Sequence, residues 1–195
     1  MLDNIIKEKF KNNGNVLTLK QALEAGITRT TIENLYKNGD IDKLGHGLYA
    51  LKDELIDEFY LFQLQYPKTI FSNNTSLFFQ NKTERIPTKM DITIYSGYND
   101  EKFRDFVNVH RCKKELLDMG ITEIRTPQGQ IVRVYNLERT LCDIIKNPKF
   151  IDSEVVSKAI KMCIKDKNFD ANLMWEYAEK MHIYKKVKIY MEANI

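Results

Sequence analysis

Cysteine, histidine, tryptophan and long apolar runs are all scarce in this chain. The three cysteines, Cys112, Cys142 and Cys163, are widely spaced, odd in number and without a CxxC pair. That excludes a disulfide framework and reads as free thiols in a reducing compartment. His110 lies two residues from Cys112, but His46 and His182 fall in other segments, so no metal-ligand cluster is expected. No stretch approaches the roughly 18 uninterrupted apolar residues that a membrane span needs. The opening MLDNIIKEKFK mixes charge with apolar residues, where a secretory signal would be continuously apolar. A cytoplasmic protein is expected. Neither a glycine-rich phosphate loop nor an HExxH or GxSxG pattern occurs, so no enzyme class is marked and no cofactor is expected.

What is present is 195 residues, 43% hydrophobic and 29% charged, the balance of a globular protein with room for one large domain or two small ones. The net charge is +3, and residues 1–52 hold eight Lys/Arg against six Asp/Glu. Such a balance permits nucleic-acid binding without demanding it, so local arrangement decides.

That arrangement is clearest from Thr18 to Ala50. A first helix is expected from the spacing of Leu2, Ile5, Ile6 and Phe10, ended by Asn12-Asn13-Gly14. Thr18 with Gln21 three positions on forms a capping-box pattern for a second helix, whose apolar side is Leu19, Ala22 and Leu23. Gly26 permits a sharp reversal and Ile27 can plug the space between helices. Thr28 caps a third helix with Ile32, Leu35 and Tyr36 facing inward. Ile41 and Leu44, the reversal Gly45-His46-Gly47, and Leu48-Tyr49-Ala50 then have the turn chemistry of a small hairpin. Helix, turn, helix and wing in that order define a winged helix-turn-helix.

Such a module presents its third helix to the major groove, where each base pair shows a distinct donor and acceptor pattern. Arg29 can offer a bidentate fork to guanine and Asn34 a two-point contact to adenine. Thr30 and Thr31 suit phosphate or a thymine methyl, while Lys20 and Lys37 suit phosphates and fix register. Glu33 opposes the phosphate field, so it either faces away or accepts from a cytosine amine. Lys43 and His46 supply contacts from the wing, and Tyr49 is expected to anchor the wing against the helices. One small module touches few bases, so operator recognition calls for a pair on an inverted repeat, from a monomer or weak dimer.

We place a domain boundary at Leu51 to Asp53, giving a binding domain of 1–52 and a second domain of 53–195. A helix near Asp53 to Gln65, carrying Leu55, Ile56, Phe59, Tyr60 and Phe62 and stopped by Pro67, is either a linker or the first element of the second domain. Beyond it the pattern reads as α+β. A short helix at Ser72 to Gln80 precedes strands at Met90 to Tyr95, Phe106 to His110, Ile121 to Thr126 and Ile131 to Tyr135. A helix capped by Asn136 follows, then helices at Asp152 to Lys165, Asn172 to Met181 and Ile183 onward. The fold class is therefore α+β: a winged helix-turn-helix, then a domain with a small sheet and C-terminal helices.

Three further features of the second domain bear on function. Glu138, Arg139 and Asp143 sit in one helix, with the last two four apart on one face, either fixing helix against sheet or forming a functional surface. Basic residues recur at Lys82, Arg85 and Lys89, at Arg111, Lys113 and Lys114, and at Lys158, Lys161 and Lys165, as solvated faces or as a patch for an acidic partner. Asp91 near Lys89 gives a weak nuclease-like pattern, but the acid-x-lysine that would complete a metal site is missing.

The stretches TLKQALEAGITRTTIENLYKNGDIDKLGHGLYAL, TIFSNNTSLFFQN and VRVYNLERTLCDII, in this order and spanning most of the chain, resemble the AbiE-type antitoxin family of type IV toxin–antitoxin systems. The resemblance implies a winged N-terminal domain that binds operator duplex and represses the operon. It also implies a C-terminal domain that neutralises a nucleotidyltransferase-type toxin without needing a stable complex with it. It assigns the recognition role to Arg29, Thr30, Thr31 and Asn34, the wing role to Lys43 and His46, and makes Glu138, Arg139 and Asp143 a possible antitoxin surface. This chain departs from the family in having fewer cations on the recognition helix, Arg29 and Lys37 with Glu33 between. Competing readings are a winged-helix regulator whose second domain senses a ligand or protein, and a metal-dependent nuclease.

Overall fold

The computed structural model describes residues 3–148 and 153–193, which divide into two compact units. The first comprises residues 1–67 with 125–132, and the second 68–124 with 133–195. The predicted helix positions at Leu2 and Asp152 fall outside the described residues.

In the first unit, α1 (Asn4–Lys11) leads through a left-handed turn at Gly14 and Asn15 into β1 (Val16–Thr18), α2 (Leu19–Glu24) and α3 (Arg29–Lys37). The hairpin β2 (Ile41–Gly45) and β3 (Leu48–Leu51) follows, then α4 (Glu58–Gln65). The three strands form one sheet in the order β1-β3-β2, with Val16 opposite Ala50 and Ile41 opposite Leu51. The sequence pattern did not reveal β1, because its three residues are too few to show alternation. The capping box is formed: Thr18 Oγ1 accepts from the Gln21 amide at 3.1 Å, and Gln21 Oε1 accepts from the Thr18 amide at 2.9 Å. Phe10, Leu17, Ala22, Ile27, Ile32, Leu35, Ile41 and Leu51 make the core.

A second apolar cluster joins Val16, Leu48 and Ala50 to Ile56, Tyr60, Leu61 and Leu64. The helix that the sequence left as linker or second-domain element therefore packs on the winged sheet. It begins later than expected, at Glu58, because Asp53 is left-handed (φ 59°) and Asp57 is the capping residue. Asp57 Oδ1 accepts from the Phe59 and Tyr60 amides at 3.0 and 3.1 Å, and its other oxygen accepts from the Thr126 hydroxyl. Leu55, placed on the helix's apolar face by its spacing, is instead 93% exposed before the helix starts.

The second unit is built on a five-stranded sheet in the order β6-β5-β4-β8-β7. Its strands are β4 (Ile70–Phe71), β5 (Asp91–Tyr95), β6 (Asn108–Cys112), β7 (Ile121–Arg125) and β8 (Ile131–Tyr135). The two-residue β4 occupies the centre, antiparallel to β5 and parallel to β8, and β5 runs parallel to β6. Among the described residues, five α-helices accompany them: α5 (Asn73–Phe79), α6 (Leu137–Lys146), α7 (Ser153–Ile164), α8 (Ala171–Lys180) and α9 (Tyr184–Glu192). The helical core packs Leu141, Ile144 and Ile145 of α6 with Ile160, Met174, Ala178, Val187 and Met191.

Two polar constructions lie inside this unit. Asp91, 2% exposed, receives His110 Nε2 on one carboxylate oxygen at 2.7 Å and Asn74 Nδ2 on the other at 3.3 Å. Lys89 donates instead to the carbonyl of Asp105 at 3.1 Å, so it does not join Asp91 in the arrangement a nuclease would use. Among the described residues, no group of three His, Cys, Asp or Glu side chains is placed to hold a metal ion.

The second construction is centred on Arg139, which is fully buried. Its Nε donates to Asp143 at 3.0 Å and its Nη1 to the carbonyls of Leu116 and Met119 at 2.6 and 2.9 Å. The guanidinium lies 4.3 Å from the centre of the Tyr135 ring. Gly120 is required beside it, because a Cβ there would stand 2.7 Å from Arg139 Cβ. Glu138 is also buried and accepts from the Asp170 amide at 2.8 Å. Of the two readings of this helix, the burial of Glu138 and Arg139 favours the one that fixes helix against sheet over a possible antitoxin surface, and Asp143 keeps 15% of its side chain exposed. Spacing correctly paired Arg139 with Asp143, but could not show that residues 116–120 cover that side of the helix.

Truncating Arg139 strands the half-buried Asp143 carboxylate and two carbonyls. Arg139→Ala is expected to cost about 3–5 kcal/mol in chemical denaturation. A loss below 1 kcal/mol would show that the buried pair contributes little. Burial also pushes the Cys142 and Cys163 thiols up to about 12. Both should therefore resist a thiol reagent at pH 8 until the unit unfolds, as read by mass spectrometry.

Candidate nucleic-acid interface

The geometry of the first unit is set at the turn between α2 and α3. Gly26 takes φ +79°, a left-handed conformation that costs glycine nothing. The Ile27 amide then donates to the Ala22 carbonyl at 2.9 Å and the Ile27 side chain enters the core, 3% exposed. Thr28 is extended and caps α3, its Oγ1 accepting from the Thr31 amide at 3.1 Å. The two threonine hydroxyls lie 2.8 Å apart, which ties Thr31 to the cap and leaves it half-buried.

Ile32 and Leu35 are the buried residues of α3, and they fix its rotation. Successive helical residues turn by about 100°, so Thr30, Glu33, Asn34 and Lys37 form the opposite, outward face at i, i+3, i+4 and i+7. All four are exposed, as is Arg29. Tyr36 does not face inward as its place in the apolar pattern suggested. One step beyond Leu35 carries it off the buried stripe, and it is 50% exposed. Leu23 on α2 is likewise 44% exposed, and Ala22 alone of that helix is fully buried.

The side chains of Arg29, Thr30, Glu33, Asn34 and Lys37 make no hydrogen bond or ion pair among the described residues. Charges on other helix surfaces do pair at i,i+4, as Glu176 with Lys180 and Lys188 with Glu192. Lys20 behaves in that second way, lying 3.8 Å from Glu24 with its side chain 84% exposed. The outward face of α3 is thus polar, mixed in charge and uncommitted.

The wing stands beside the start of α2. The Leu19 amide, first in that helix, donates to the Gly47 carbonyl at 2.6 Å. Lys20 and the exposed His46 therefore flank a single hydrogen bond between the helix start and the wing tip. Gly47 takes φ +65°, and the register slips between Lys43 and Gly45, so the wing bulges at Leu44. Lys43 is exposed and paired in register with Tyr49. Tyr49 is half-buried and packs against the core cluster, the anchoring place that the sequence suggested for it.

Helix, glycine turn, recognition-type helix and β-wing define the first unit as a winged helix-turn-helix. Its residues 4–52 match the model of a family described as transcriptional regulator, AbiEi antitoxin. Across both units the fold is similar to that of the RV2827C protein from Mycobacterium tuberculosis, with a TM-score of 0.50 and 13% identity. That likeness covers 93% of this chain and 75% of the other, and at such identity it concerns fold alone. None of the curated proteins searched matches the chain. No helix among the described residues is long and apolar enough to cross a membrane.

Because Thr28 sets where α3 begins, its cap positions the whole outward face. Thr28→Ala is expected to lower stability by about 1 kcal/mol in urea denaturation. An unchanged midpoint would mean that tertiary packing alone holds the helix start.

Proposed function

We propose that this protein represses transcription of its own operon by occupying an operator duplex, and that it is the antitoxin of a type IV toxin–antitoxin pair. The observation that carries the DNA-binding part is the outward face of α3, whose polar side chains are exposed and have no internal partner. A helix about 10–12 Å across fits a major groove about 12 Å wide, and a side chain without internal bonds loses none on meeting a base edge. Asn34 and Thr30 would face the bases, with Arg29 at the helix start bonding a guanine edge. Thr31, held in the cap, would present its hydroxyl to a phosphate beside the helix start. Lys20, Lys37 and Lys43 would hold phosphates, and His46 would approach the backbone from the wing. The module within residues 1–52 does the reading, in the cytoplasm, with two copies on an inverted repeat.

The family match over residues 4–52 supports a regulator and antitoxin. On this reading residues 53–195 carry the antitoxin activity, against a nucleotidyltransferase-type toxin that need not be bound stably.

Fluorescence anisotropy with the duplex upstream of the gene tests the reading. The protein should bind it tighter than a scrambled duplex, with a log–log salt slope of about −5 when two copies, each with three phosphate-bound lysines, are seated. Equal affinity for both duplexes would reject operator recognition. In cells co-expressing the adjacent gene product, an Arg29→Ala, Asn34→Ala variant should lose repression yet still relieve toxicity. Failure of the wild type to relieve toxicity would reject the antitoxin part alone.

A further inference from the structure

On the reading that α3 meets duplex DNA, one residue of its outward face is out of place: an acid where phosphates crowd. The structure assigns Glu33 to that face, because Ile32 and Leu35 occupy the opposite one and leave it nowhere else to turn. It shares the face with Thr30, Asn34 and Lys37, and departs from its centre by the same angle as Asn34 on the other side. A pose that seats the centre of this face, Thr30 and Lys37, in the groove brings Glu33 and Asn34 to the bases together, one on each side.

Glu33 is not neutralised by its own helix. Arg29 precedes it by four residues and Lys37 follows by four, the spacing at which helical ion pairs form. Neither pairs with it among the described residues. An unpaired carboxylate carried into the groove meets like charge from the backbone and loses water, both unfavourable. A hydrogen-bond donor on a base edge is what offsets this, and in the major groove the cytosine N4 amino group is the donor matched to a carboxylate.

We propose that Glu33 is a specificity-determining residue of this module, accepting from a cytosine amine at one operator position and penalising duplexes without it. Its effect has two signs. It lowers affinity for DNA in general, and it sharpens the choice among sequences. The thin cationic character of this recognition helix then has a use, since weaker general binding leaves fewer competing sites.

The test is selection from a pool of randomised duplexes, run with the wild-type protein and with Glu33→Gln. The wild type should enrich a motif holding one position as a C·G pair. Glu33→Gln should keep the rest of the motif, relax that position by about tenfold, and bind a scrambled duplex about threefold to tenfold more tightly at equal salt. Asn34→Ala should relax a different position. If Glu33→Gln enriches the same motif with the same stringency, Glu33 reads nothing and the inference is wrong, though DNA recognition by α3 stands. If the wild type enriches no motif, operator recognition fails and this inference falls with it. Glu33 is exposed, and its amide isostere removes charge without changing shape, so the variant's circular dichroism should match the wild type's.

Discussion

The burial of Ile32 and Leu35 is the constraint on which the candidate interface depends. Each side chain is worth about 1.5–3 kcal/mol when removed from water. Rolling α3 by one residue would expose both and drive a polar neighbour into the core formed by Phe10, Leu17, Ile27 and Ile41. Such a penalty holds the rotation of the helix, and the rotation alone decides that Thr30, Glu33, Asn34 and Lys37 point outward together. Gly26, Ile27 and the Thr28 cap serve the same end, because they fix where the helix starts and at what angle it leaves α2.

The second unit keeps its chemistry inside. Asp91 with His110 and Arg139 with Asp143 both lie in the interior, and each is surrounded by hydrogen-bonding partners from several elements. Arrangements of this kind hold strands and loops in one register, since breaking any partner leaves a buried polar group unsatisfied. Arg139 in particular gathers α6, Tyr135 and the carbonyls of Leu116 and Met119 around one planar cation. The outward-facing charge of this unit resides instead in residues such as Lys158, Lys161 and Lys165.

Much of the winged unit was legible in residue order because its signals are local. Thr18 with Gln21, Gly26, Thr28 and the Gly45–Gly47 reversal each act over three or four positions, and each appears where expected. Signals that depend on distant partners were not legible. The central strand β4 is two residues long and exists only because β5 and β8 pair with it. Tyr36 and Leu23 are apolar residues at plausible core positions, yet the core is complete without them and they remain half-exposed.

What residue order settled by itself, then, is the succession of helices, turns and wing, because caps and glycine turns are decided by neighbours along the chain. It also supplied the pairing of Arg139 with Asp143, a matter of helical period. Only the tertiary structure decided which of these side chains meet water. Glu33 was free to face either way in the sequence, and packing of its two apolar neighbours turned it outward. For Arg139 and its helix the sequence left open a structural role or a functional surface, and residues distant in the chain closed over Glu138 and Arg139. Exposure is a property of what else is folded nearby, and no local pattern contains it.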